Sequence, residues 1–239
     1  MDRNRIAGPW YELLDPFDMI MLDLWPMELL EHYLGDMEDF LEAESQKHHE
    51  NIETIIEKIR SGELTTPLDP GQMPPAIEYD HHRTMMLEQF ANILRKSFFT
   101  NLYTCLESRL TEECYLKDKN WRSAVPQKYC KNDVLTQAMQ YLIRVQHISF
   151  TLGESKEWGE LQGCRRLRNC IVHNEGRLNN QYLDKDELEK YISGKPSLSL
   201  SGDEIIFSRD FCEEALDTMG RFLVTVLVAS RSWLSKQAE

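Results

Sequence analysis

The sequence predicts an all-α protein, an antiparallel helical bundle with one small β-hairpin before its last helix. Three observations carry that prediction. Apolar residues recur at three-to-four spacing over long stretches, as in Ile20, Leu24, Met27, Leu30, Tyr33, Leu34, Met37 and Phe40. Period-two alternation appears once, in SLSLSGDEIIFS at residues 197–208. No internal repeat or low-complexity run interrupts the pattern.

The elements follow in order. The first ~15 residues read as an irregular lead-in. A helix is expected from Phe17 to about Arg60, with Pro26 and Gly35 placed to kink or divide it. Residues 62–79, GELTTPLDPGQMPPAIEY, contain four prolines and two glycines and read as a long loop. From Asp80 to Leu116 the residues Met85, Met86, Phe90, Ile93, Leu94, Phe98, Leu102, Leu106 and Leu110 make an apolar stripe. It is wide enough to meet more than one neighbour. Residues 117–131 are polar and turn-like. Asn132 or Asp133 is placed to cap a helix from Val134 to about His147, and Ser155 to cap one that begins near Trp158. That helix stops near Asn174 or Gly176, where glycine suits the left-handed position. A short helix is expected over Asp184–Ile192. The last helix starts near Ser208 or Asp210, with Asp210 and Glu213 spaced like a capping box. Residues 1–79 form an N-terminal helical segment and Pro-rich loop packing on the bundle, and 80–239 the bundle itself.

The 239 residues are 41% hydrophobic and 28% charged, which suits a soluble globular chain. The net charge of −13 argues against a protein that coats nucleic acid without regard to sequence, since that needs a basic face. It leaves room for one local phosphate site. The six cysteines include no C-x-x-C pair, and no apolar leader is visible, so they read as reduced, mostly buried thiols of a cytoplasmic protein. The longest strongly apolar run, Phe222 to Ala229, is too short to span a bilayer, so no membrane partner is expected.

The common phosphate-cradling loops are absent, as are G-x-S-x-G and H-E-x-x-H. His48-His49 and His81-His82 are adjacent pairs whose members diverge by about 100° on a helix. They read as solvated helix faces or ends, and neither metal nor cofactor is expected. Cys164 lies among arginines that would lower a thiol pKa, but no second catalytic group accompanies it, so it reads as a core residue.

The stretch that stands out is CRRLRNCIVHNEGRL, residues 164–178. Asn169 and His173 are four apart and share a helix face. Arg168 lies about 140° from His173 on a regular helix and reaches forward more easily if the helix unwinds there. Arg165, Arg166 and Arg177 would add positive charge to the same surface. One reading is helix-end chemistry alone, because the dipole favours cations in a last turn. The other is a site built from Arg168, Asn169 and His173. Upstream, Glu107 and Arg109 in CLESRL interrupt an apolar stripe, either as surface charges or with Glu107 positioning the Arg–His pair.

The string L-R-N-x-x-x-H-N-x-G closely resembles the signature of the HEPN superfamily: an Arg, very often followed by Asn, and a His after four to six intervening residues. The helix around SFFTNLYTCLESRLTEECYL and the hairpin and final helix around SLSLSGDEIIFSRDFCEEALDTMGRFL look like those of bacterial HEPN-type proteins, and the likeness runs from about Asp80 to Trp233. The resemblance implies a metal-independent endoribonuclease acting in bacterial defence or as a toxin, with RNA as substrate and the active site at a homodimer interface. It implies His173 as general acid/base, Arg168 on the phosphate and Asn169 orienting. An antitoxin or other protein partner accompanies that expectation. The alternative is a non-catalytic HEPN-like module that binds a partner protein or a nucleotide.

Overall fold

A computed structural model of the chain describes residues 25–63, 75–130, 132–179 and 182–237. The irregular lead-in, the start of the first helix and most of the Pro-rich loop lie outside these residues. Among the described residues there are seven α-helices and one two-stranded antiparallel hairpin. In chain order they are α1 (Trp25–Arg60), α2 (Pro75–Lys117), α3 (Trp121–Ala124), α4 (Val134–Arg144), α5 (Lys156–Asn174), α6 (Lys185–Ser193), β1 (Leu198–Ser201), β2 (Glu204–Phe207) and α7 (Arg209–Gln237). The all-α bundle with its hairpin before the last helix is therefore the fold. No helix among the described residues is long and apolar enough to cross a membrane.

α1 is unbroken. Pro26 falls in its first turn, where the missing N–H has no intrahelical acceptor to lose. α2 begins five residues before the expected Asp80, with Pro75 in the first helical position that proline suits. The turn-like stretch after α2 contains α3 and a 3₁₀ turn over Gln127–Tyr129. Trp121 buries itself there and lies 5.9 Å from Tyr141, an anchor that the polar composition conceals.

Asp133 is the cap of α4, accepting from Thr136 N at 3.0 Å and Thr136 Oγ1 at 2.9 Å. α4 ends at Arg144, three residues before the expected His147, which takes a left-handed φ of 53°. Ser155 Oγ accepts from Trp158 N at 3.1 Å, so the Ser155 cap holds and α5 starts at Lys156. α5 ends in two successive left-handed residues, Glu175 (φ 56°) and Gly176 (φ 73°), where glycine alone was expected. Gly176 N donates to Cys170 O at 3.1 Å and closes the end. Gly176 also lets Lys96 approach, since a Cβ would sit 3.0 Å from its Nζ.

The hairpin pairs Leu198 with Phe207 and Ser201 with Glu204 across Gly202-Asp203. The cap of α7 is Ser208, which accepts from Phe211 N at 3.2 Å. The capping box from Asp210 does not form, and Glu213 pairs instead with Arg209 at 2.8 Å. α2 is the central rod, packing against α1, α4, α5 and α7. Its Phe98, Phe99, Leu102, Leu106 and Leu110 are fully buried. Asn92 docks the hairpin, donating to Ile205 O at 3.1 Å and accepting from Phe207 N at 3.0 Å.

Gly163 is where α5 passes α6: a Cβ there would overlap the Tyr191 ring. The Tyr191 hydroxyl is engaged with Cys164 Sγ at 3.6 Å and Glu160 Oε2 at 3.5 Å, which keeps the ring from swinging away. Alanine in mid-helix ordinarily gains about 0.5–1 kcal/mol over glycine, but overpacking costs about 1–3 kcal/mol. Gly163→Ala is expected to lower the midpoint of urea unfolding; an unchanged or raised midpoint would show the ring free to move.

Candidate active site at the end of α5

The regular helix through Asn174 decides the geometry. α5 does not unwind at His173, so Arg168 and His173 stay about 140° apart around its axis. His173 is exposed and makes no hydrogen bond or ion pair among the described residues. Arg168 lies at the border with α2. Its guanidinium is 3.9 Å from a Glu107 carboxylate oxygen, and its Nη1 donates to Asn169 Oδ1 at 3.3 Å. Asn169, half-buried between the two, is thus turned to the arginine.

Each of the other arginines has a carboxylate on a different element. Arg165 meets Asp133 at 3.0 Å, Arg166 meets Glu187 of α6, and Arg177 meets Asp203 of the hairpin turn at 3.3 Å. Positive charge that looked concentrated in the sequence is distributed over the α4 cap, α6, α2 and the hairpin. In an acidic chain these arginines are the counterions that tie α5 to its neighbours. Arg109 pairs with Glu112 on its own helix, two residues and about 200° round from Glu107.

Glu107 is half-buried, with a carboxylate oxygen 3.9 Å from the Arg168 guanidinium. Burial pushes its carboxyl above the ordinary value of 4.5, Arg168 opposes the shift, and Asp133 adds to it. Its ionised form is therefore less favourable in the folded chain than in water. A raised carboxyl contributes stability below its unfolded pKa and loses it as pH rises through the folded one. Glu107→Gln is expected to stabilise the chain at pH 7 and to have no effect below pH ~4, read as thermal midpoints across that range. Destabilisation at pH 7 would mean that the Arg168 contact outweighs the burial.

Tyr103, fully buried on α2, also belongs to this cluster: Asp133, Glu107, Cys164 and Arg165 all act on its hydroxyl, which burial holds well above its usual pKa. Among the described residues its oxygen, Arg165 Nε and Arg168 Nε are buried without a hydrogen-bond partner. The long Glu107 contact and the unused Nε leave Arg168 loosely held for so enclosed a group.

Along the same side of α5, a cavity of about 470 Å³ opens between α2, the end of α5 and β2. Lys96, Thr100, Asn101, Ile171, Glu175 and Arg177 line it, with Glu204 against Lys96 at 2.8 Å. The lysine draws the Glu204 carboxyl below its ordinary range. Sequence reasoning passed over Lys96 and Asn101, although a lysine within an apolar helix stripe was the available signal. Of the sequence-selected residues only Arg177 reaches this cavity.

Cys164 is a core thiol, 2% exposed and pushed up to about 12 chiefly by burial. His48 departs from the expected solvated face: it is 4% exposed, its Nε2 4.0 Å from Glu44. Among the described residues no three His, Cys, Asp or Glu side chains gather as a metal would require. No protein-family model, curated protein or solved structure matches the chain.

Proposed function

We propose that this chain is a metal-independent endoribonuclease of the HEPN type, acting in bacterial defence or as a toxin, with its site completed across a homodimer. One observation carries the reading: the R-N-x-x-x-H run closes α5 with its imidazole exposed and its arginine only loosely held, beside Asn169 and Glu107. Cleavage by the RNA's own 2′-hydroxyl needs a base for that hydroxyl, an acid for the leaving 5′-oxygen, and positive charge on the phosphate. One chain offers one exposed imidazole on this helix, angled away from Arg168. A two-fold partner supplies the second imidazole and the second guanidinium. Imidazole can act as base in one copy and as acid in the other, so the pair supplies both proton transfers.

A second reading has its own observation. All four arginines of the run and its flank meet carboxylates of their own chain, which suits a non-catalytic module whose Arg168 is structural. Incubating the purified chain with total RNA in excess chelator separates the two. The nuclease leaves fragments ending in 2′,3′-cyclic phosphate; intact RNA at every protein concentration favours the module.

A further inference from the structure

Positive charge without a carboxylate partner gathers in one place on this acidic chain. Residues 117–131 hold five Lys and Arg against one Asp, while the net charge of the whole is −13. Lys117 meets Glu113 at 3.3 Å. The exposed cations Lys119, Arg122 and Lys128, with Arg144 from the end of α4, make no ion pair among the described residues. They differ in this from the arginines of α5, each of which meets a carboxylate.

Aromatic rings hold three of the four in place. The Arg122 guanidinium lies 5.3 Å from the Trp121 ring centre. Lys128 Nζ lies 4.8 Å from the ring centre of Tyr129, and the Arg144 guanidinium 5.3 Å from the same ring. Trp121 is in turn 5.9 Å from Tyr141, which precedes Arg144 by three residues on α4. The carboxylates of the neighbourhood are already engaged. Asp118 accepts from Asn120 N at 2.8 Å, and Glu112 pairs with Arg109.

A shallow cavity of about 350 Å³ adjoins the patch, lined by Ser108, Thr111, Glu112, Tyr115, Trp121 and Arg122. The Tyr115 side of it is 50% exposed. Thr111 is one turn, about 6 Å, along α2 from Glu107 and about 40° round from it. Glu107 is the residue beside Arg168, so the cavity opens about a turn from the candidate site.

We propose that this patch binds an unpaired stretch of RNA and leads it toward Arg168. The inference rests on the RNA substrate proposed above. A single strand alternates phosphate and base, and here cations alternate with rings. The four cations take phosphates, and the half-exposed Tyr115, beside Arg122, offers a base a face to stack on. A duplex keeps its bases stacked inside and has no use for that ring. An acidic peptide would engage the cations through carboxylates and leave the ring idle. The acidic remainder of the chain repels a polyanion elsewhere and so directs it to this surface.

The test uses the full chain with His173→Ala, so that bound RNA stays whole, and a fluorescent 20-nucleotide RNA without self-complementarity. Lys119→Gln, Arg122→Gln and Lys128→Gln are combined, all at exposed positions. Binding at about 0.1 M salt is expected to weaken at least tenfold, with the melting temperature unchanged. The slope of log Kd against log salt is expected to fall by about two, since each single-strand phosphate contact contributes about 0.7. Lys119→Arg with Lys128→Arg keeps the charge and is expected to bind as the parent does. A triple variant that binds RNA as tightly as the parent overturns the proposal. So does the absence of RNA binding, or equal binding of an RNA duplex or of a glutamate-rich peptide. Cleavage is scored separately with His173 intact. If cleavage is absent while binding depends on the patch, the nuclease reading falls and the patch stands; cleavage with binding untouched by the triple variant does the reverse.

Discussion

His173→Ala is expected to cut RNA at least ~10²-fold more slowly than the parent chain, and up to ~10⁴-fold, the usual range for one lost proton-transfer group. The melting temperature is expected to stay put. His173 is exposed and makes no side-chain bond among the described residues, so its removal opens no cavity and leaves no buried partner. This combination separates chemistry from folding. If His173 were only a favourable charge in the last turn of α5, alanine would cost a few tenths of a kcal/mol of stability and leave cleavage unchanged. The rate of the parent chain is expected to follow a bell in pH, because one imidazole must be neutral while its twin is protonated. Arg168→Ala is expected to lose cleavage as well. Arg168→Lys recovers little of it, since an ammonium cannot hold Asn169 and a phosphate in the planar fork of a guanidinium.

Glu38→Ala is expected to destabilise the chain by about 3–5 kcal/mol, the cost of breaking a buried ion pair from one side. Arg95 donates from Nε and Nη2 to the two Glu38 oxygens, at 2.7 Å each, and from Nη1 to Phe207 O at 3.2 Å. One guanidinium thereby joins α1, α2 and β2. Glu38 is 4% exposed and Arg95 21%, so little water is present to replace a lost partner. The Glu38 hydrogen bonds hold the guanidinium pKa above its already high ordinary value, and it stays charged when the carboxylate is gone. Glu38→Leu with Arg95→Met is expected to recover most of the loss, because removing both charges leaves apolar surface of similar volume. Urea unfolding reads both. A single-variant loss below about 1 kcal/mol would mean that the pair is solvated in solution.

The helices were legible because their periodicity is strong and their caps are chemically ordinary. Asp133 and Ser155 occupy the cap positions expected from sequence, and the Gly202 turn closes a hairpin announced by alternation. Residues whose role comes from a distant partner were not. Trp121 sits in a polar stretch and is buried only because α4 returns beside it. His48 reads as one of a polar pair until α1 turns it inward. At the site, the R-N-x-x-x-H run was visible as a string, and the Glu107 contact was one of two readings. Which carboxylate each arginine meets depends on elements far away in the chain, such as Asp203 and Glu187, and no local pattern encodes that. The cavity around Lys96 and Asn101 is likewise a product of where β2 docks.

The central claim is a cleavage site that two chains build together, and counting imidazoles tests it most directly. Parent chain and His173→Ala chain, carrying different tags, are co-expressed at varied ratios and their RNA cleavage is measured. A site that needs His173 from both protomers loses activity as the square of the parent fraction, because every mixed dimer is inactive. Activity that falls only in proportion to the parent fraction, or that resides in a monomer, contradicts the account.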